Sequence, residues 1–166
     1  EGLELDTIIE GGTGSNSADK NQPENLPDRF ESGTPNVQGI IGLSKALDYI
    51  KGVGIENIYY HEISLMRYLQ KRLIQNRNII LYTDFFDKRQ SLMPIISFNV
   101  KNKHSEEVAE FLSSEGIAVR AGLHCAPLAH RKFKTDGSGT VRISPSIFTK
   151  KSDIDFLINS VRKIAK

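Results

Sequence analysis

Arg120-Ala121-Gly122-Leu123-His124-Cys125-Ala126-Pro127 is the stretch that organises the reading of this chain. Just before it, Ile117-Ala118-Val119 is rich in β-branched residues and predicts a short strand over 117–120. Glycine, then proline, breaks that pattern and predicts a loop. The chain's single cysteine therefore leaves the end of a strand on a turn, more exposed than a strand cysteine. Arg120 and His124 flank it and would favour a thiolate, the form that attacks. From these residues alone a structural or incidental cysteine stays open beside a nucleophile. His124 and Cys125 together fall short of the four ligands of structural zinc, and His104 and His130 lack supporting spacing.

Downstream, Thr140-Val141-Arg142-Ile143-Ser144 predicts another strand. An arginine among β-branched residues must be paired or meet a ligand, because burying its charge alone is costly. A guanidinium matches a carboxylate with two parallel hydrogen bonds, so a substrate carboxylate is one partner. An internal salt bridge is the other. The intervening 129–139 segment, basic and then Asp136-Gly137-Ser138-Gly139, reads as a surface loop. A last helix starts near Thr149 or Ser152 and buries Ile154, Leu157, Ile158, Val161 and Ile164.

Upstream, strands are expected over 79–82 and 94–100. Between them and the cysteine, Ser105 reads as the cap of a helix that buries Val108, Phe111 and Leu112 and ends at Gly116. Glu106 and Glu107 suit its positive end. A longer helix over 56–76 has Ile58, Leu65, Leu69 and Leu73 as its stripe, with Met66 and Tyr68 as packing residues. Ile40, Leu43, Leu47 and Ile50 recur at the spacing of another helix face, halted by Gly52 and Gly54. Residues 1–36 differ. A short apolar patch (Leu3, Leu5, Ile8, Ile9) precedes a Gly-rich run through Asn16 and Ser17 and a polar stretch with three prolines. No helix or strand is expected there. Gly11-Gly12-Thr13-Gly14-Ser15 and Gly33-Thr34-Pro35-Asn36 join glycines to hydroxyls ahead of a helix, a setting able to hold phosphate. Neither matches the phosphate loop or GxGxxG.

The 166 residues suit one domain with a real core; 39% are apolar and 25% charged. With 22 basic and 20 acidic residues, the net charge of +2 gives no reason to expect nucleic acid or a membrane as partner. No apolar run approaches the roughly 20 residues of a membrane span. The first residues do not resemble a signal peptide, and without an initial methionine the chain is processed or part of something longer. One cysteine allows no internal disulfide and suits a reducing cytoplasm.

Taken in order, EGGTGS, RFESGTPN and its helix, RAGLHCAPLAH and GTVRIS resemble the cysteine desulfurase and selenocysteine lyase branch of the class V aminotransferases. The resemblance covers nearly the whole chain and is specific around residues 29–36 and 120–126. It implies an α+β fold. Residues 1–55 correspond to a remnant of a large cofactor-binding domain. Residues 56–166 correspond to the small C-terminal domain of a fold-type I pyridoxal-phosphate enzyme, a mostly antiparallel sheet with helices on it. In that family a lysine just upstream of the matched Gly-rich segment binds pyridoxal phosphate covalently. This chain begins after that point; neither Lys20 nor Lys45 matches it, and the chain alone is expected to be inactive.

For the longer parent, the resemblance implies removal of sulfur from L-cysteine, or of selenium from selenocysteine, with release of alanine and a persulfide on the enzyme. Cys125 matches the nucleophile, Arg142 the carboxylate clamp, with Arg120 and His124 beside the substrate. Thr34 matches a contact to the cofactor phosphate of the other subunit of a homodimer, Gly33 lets the backbone approach, and Thr13 lies near. A sulfur-acceptor protein is a further implied partner. The Leu123-His124 pair departs from the two consecutive histidines of better-known members. Two alternatives remain: another class V reaction with Cys125 a bystander, and a binding or dimerisation fragment without cofactor.

Overall fold

A computed structural model describes residues 5–15, 18–87 and 92–166. Leu3, Asn16 and Ser17 lie outside the described residues. The chain forms two compact units, Glu1–Gly52 and Val53–Lys166.

In the first unit a 3₁₀ turn, Asp28–Phe30, is the regular structure that precedes α1 (Val37–Val53). Gln22 organises the segment by donating from Nε2 to the carbonyls of Asp28 at 2.7 Å and Arg29 at 3.3 Å. Asn36 opens α1 by accepting the Gly39 amide at 3.0 Å on its side-chain oxygen. The apolar spacing of α1 predicts a buried face, but no residue of α1 is buried, and Ile40, Leu43 and Leu47 are 61%, 63% and 48% exposed. Spacing defines which residues share a face; burial depends on what the rest of the chain offers to cover it.

The second unit contains the core. Its elements are α2 (Ile55–Leu73), β1 (Ile79–Leu81), β2 (Ile96–Val100), α3 (Ser105–Ser114), α4 (Pro127–Phe133), β3 (Val141–Ile143) and α5 (Lys151–Ile164). The strands pair antiparallel in the order β1-β2-β3, with Ile80 opposite Asn99 and Ser97 opposite Arg142. Alternation along the strands sends Ile96, Phe98, Val141 and Ile143 to one face, where they are buried. Helices α2, α3 and α5 cover that face with Met66, Leu69, Leu73, Val108, Leu112, Leu157, Ile158 and Val161. Met66 and Phe98 are 0% exposed, and burying side chains of that size stabilises by about 1.5–3 kcal/mol each. Tyr68 packs against this core while its hydroxyl donates to Asp155 Oδ1 at 2.5 Å.

Several expectations change. Residues 117–119 form no strand; Arg120 alone bridges to Arg142. The pairing is nonetheless firm over a short length. Arg120 and Arg142 exchange both backbone bonds (3.2 and 2.7 Å), as do Gly122 and Thr140 (3.2 and 3.1 Å). Ser105 is not the cap of α3: His104 holds that position, and the Ser105 hydroxyl donates to the Ser138 carbonyl at 2.6 Å. The cap competed with a tertiary acceptor, and the acceptor won. The 129–139 segment is not simply a loop, because α4 occupies 127–133, with Pro127 in the first turn where its missing N–H is no loss. Lys134 closes α4 at a left-handed φ of 55°. At α5, Asp153 accepts the Lys150 amide at 2.8 Å.

Gly139 joins these pieces. A Cβ there would lie 2.7 Å from Gly122 Cα and 2.8 Å from Ser105 Oγ, at a φ of +61°. Only glycine fits.

Candidate functional site

The same alternation that buries Phe98 puts Ser97, Thr140 and Arg142 on the opposite face of the sheet. Arg120, paired with Arg142, joins them. A helix laid over this face closes a cleft of about 270 Å³ lined by Tyr82, Ser97, His124, His130, Thr140 and Arg142, among others. That helix is α4, which contributes Ala126, Ala129, His130 and Phe133. Phe133 meets Tyr82 edge-on, with ring centroids 5.8 Å apart.

Arg142 Nε is buried and has no hydrogen-bond partner, and among the described residues no carboxylate pairs with the guanidinium. The internal salt bridge that the sequence left open is thus not formed here. A half-buried guanidinium beside a cleft, with its buried Nε–H unspent, suits an anion arriving from outside.

His124 points into the same cleft. Its Nε2 lies 3.0 Å from the Thr140 carbonyl oxygen and 3.2 Å from the Thr140 hydroxyl. A carbonyl can only accept, so Nε2 carries the proton and Nδ1 is the bare nitrogen. Nδ1 is buried without a partner. Burial holds the His124 pKa below the ordinary imidazole value. The bond to the Thr140 carbonyl opposes this, while the charges of Arg142, His130 and Arg120 add to it. His130, buried beneath, has Nδ1 2.8 Å from the Thr135 hydroxyl, and its ring centre lies 5.8 Å from that of His124.

Cys125 is exposed. It sits in a four-residue turn closed by the Ala126 amide on the Leu123 carbonyl at 2.9 Å. Both central residues, His124 and Cys125, have positive φ, 51° and 58°. Non-glycine residues in that region cost roughly 1–2 kcal/mol each. Arg120 Nη2 stands 3.9 Å from Cys125 Sγ. Of the two flanking residues Arg120 reaches the thiol, while His124 commits its Nε2 to Thr140.

The structure therefore gathers Cys125, Arg120, His124 and Arg142 within one paired segment. In the other unit it gathers the two Gly-rich stretches, since the Gly33 amide donates to the Gly12 carbonyl at 3.0 Å. Thr34 is exposed, and its hydroxyl makes no hydrogen bond among the described residues. Thr13 shares its hydroxyl with Ser15 at 2.7 Å and lines a second cleft with Gly11, Gly12, Lys20 and Gln22. His130, Tyr82 and Thr135 were missed as cleft residues. For His130 a signal existed: Ala126, Ala129, His130 and Phe133 fall at the spacing of one helix face, hidden by the short length of α4.

Among the described residues no helix is long and apolar enough to cross a membrane, and no cluster of three metal-ligating side chains occurs. The family Aminotransferase class-V matches residues 5–157. A cysteine desulfurase of Wigglesworthia glossinidia brevipalpis is 37% identical over 141 residues, covering 85% of this chain and 33% of that protein. A probable cysteine desulfurase of Synechocystis is 37% identical over 137 residues, covering 82% and 32%. The chain thus spans about a third of the length of these relatives. Among solved structures, the apo cysteine desulfurase of Thermococcus onnurineus superposes with a TM-score of 0.73 at 29% identity, over 84% of this chain and 34% of that one. That superposition has the α+β arrangement described above.

Proposed function

The chain belongs to the aminotransferase class V family, and from that premise we propose that it is the C-terminal part of a cysteine desulfurase. The observation that carries the reading is the shared strand pairing. Residues 120–122 and 140–142 hydrogen-bond to each other, so the entrance to the cysteine turn is tied to the strand that carries Arg142, whose Nε has no partner. In the reading, residues 1–55 are a remnant of a large cofactor domain and 56–166 form the small domain.

The cofactor expected for the family is pyridoxal phosphate, which supplies an electron sink at the substrate α-carbon. The residues present fit its phosphate. The Thr34 hydroxyl is exposed and uncommitted, and nothing lies within 4 Å of a Cβ placed on Gly33, at a φ of +79°. The Gly33 amide is committed to Gly12, so Gly33 permits close approach and Thr34 makes the contact, across a homodimer interface. Thr13 is the outlying member of this set.

Arg142 takes the substrate carboxylate, with His124 beside it in the cleft and Arg120 near the thiol. Cys125 Sγ, as thiolate, forms a bond to the substrate sulfur while the carbon–sulfur bond breaks. The pair left on carbon takes a proton, alanine leaves, and the persulfide on Cys125 passes its sulfur to an acceptor. The exposure of Cys125 suits that transfer. Selenocysteine is the heavier version of the same substrate.

One observation favours a second reading, another class V reaction in which Cys125 is a bystander: Cys125 does not line the cleft that holds Arg142. The two are separated by measuring alanine released from L-cysteine by the full-length protein loaded with pyridoxal phosphate, beside Cys125→Ala. Collapse of alanine release in the variant supports the desulfurase. Equal release in both, or none in either, moves the function to the second reading.

A further inference from the structure

We propose that His124 is a positioning residue: its Nε2–H clamps the strained turn that presents Cys125 onto Thr140 and fixes the thiol in register with Arg142. The inference rests on the reading of Cys125 as nucleophile.

Three observations support it. The Leu123-His124-Cys125-Ala126 turn has left-handed φ at both central residues, and neither is glycine. Such a turn persists only when its surroundings over-determine it. The backbone bonds between Gly122 and Thr140 end two residues before His124, so they hold the entrance to the turn but not its apex. The bond from His124 Nε2 to the Thr140 carbonyl, 3.0 Å long, ties the apex back to the approach to β3, and is much shorter than the 3.9 Å contact of Arg120 Nη2 with Cys125 Sγ. Thr140 lies two residues before Arg142 on the same face, so nucleophile and guanidinium are referred to one point. The tie also requires a defined tautomer. With Nδ1 buried and unpartnered, and protonation disfavoured by burial and by Arg142, the imidazole is neutral and donates from Nε2.

The histidine thus does not act on the thiol itself. It acts through the backbone, and its loss should change the rate of sulfur removal without changing how the amino-acid carboxylate is held.

The test uses the full-length protein loaded with pyridoxal phosphate and compares His124→Leu, which keeps bulk but lacks a donor, with His124→Gln, whose amide can reach Thr140. Alanine release from L-cysteine should fall roughly tenfold to a hundredfold in kcat for His124→Leu, as for a misplaced reacting group, and return to within about threefold of wild type for His124→Gln. Binding of L-alanine, which reports the carboxylate clamp at Arg142, should change by a much smaller factor than kcat in His124→Leu; an equal loss in binding and kcat would overturn the positioning role. Wild-type kcat in His124→Leu, with Cys125→Ala inactive, overturns the inference and leaves the nucleophile standing. Full activity in Cys125→Ala overturns both. Should His124→Leu fail to fold, nitrogen NMR of the wild-type imidazole decides: a proton on Nε2 at neutral pH supports the clamp, and one on Nδ1 overturns it.

Discussion

Arg142 and His124 present one cleft with a buried donor and a buried acceptor, both unsatisfied. For Arg142 the consequence is affinity: Arg142→Ala in the full-length protein should weaken amino-acid binding by about 2–5 kcal/mol. An unchanged KM for L-cysteine would remove it from the carboxylate role. For His124 the consequence is pH dependence. Arg142 faces it from β3, His130 from α4, Tyr82 from the segment after β1, and Arg120 from its own strand segment. Its folded pKa lies below the ordinary value near 6.5, so on acidification the unfolded chain takes up the proton first. The neutral imidazole therefore stabilises the fold above about pH 6.5, and that contribution is lost as pH falls from there through the lower folded pKa. Urea midpoints measured from pH 7.5 downward should fall in wild type more than in His124→Gln. Parallel profiles would show that His124 does not carry the effect.

At the scale of elements, the helices illustrate what spacing can and cannot say. The stripes of α2, α3 and α5 reach the core because a three-stranded sheet with one apolar face lies beneath them, although Ile58 at the start of α2 stays outside it and Phe111 and Ile164 are only partly buried. The stripe of α1 has the same periodicity and no cover within the described residues of its unit. The segment from 134 to 140 shows the reverse case, in which sequence looked featureless and geometry is strict. Gly139 abuts Gly122 Cα and Ser105 Oγ at positive φ. Gly139→Ala should therefore destabilise by about 2–4 kcal/mol, combining left-handed strain with an unrelievable contact. A loss under half of that in urea denaturation would mean that the backbone can shift there. Asp153→Ala, by removing the acceptor for the Lys150 amide, should cost about 1 kcal/mol.

At the scale of the whole molecule, the core cluster is drawn entirely from the second unit, from Ile63 to Ala165. Expressed alone, Val53–Lys166 should unfold in one transition with the same urea midpoint as the core of the full 166-residue chain. A difference of more than about 1 kcal/mol in unfolding free energy would show that residues before Val53 contribute to the core's stability. The sequence by itself determined the α+β class, the helices at α1, α2, α3 and α5, the strands β1, β2 and β3, and the family. These follow from local periodicity and from residue order in short motifs, which survive without knowledge of partners. It also brought forward Cys125, Arg120, His124 and Arg142 from residue type and setting, and Thr34 through the resemblance of its motif to the family's. Only the tertiary structure decided that residues 117–119 stay outside the sheet, that Ser105 spends its hydroxyl on Ser138, and that His130 lies under His124. It also decided that α1 leaves its apolar face bare, and that His124 turns from Cys125 to Thr140. Each of these depends on which group across the fold wins a given donor, acceptor or surface, and that competition is between residues far apart in the chain.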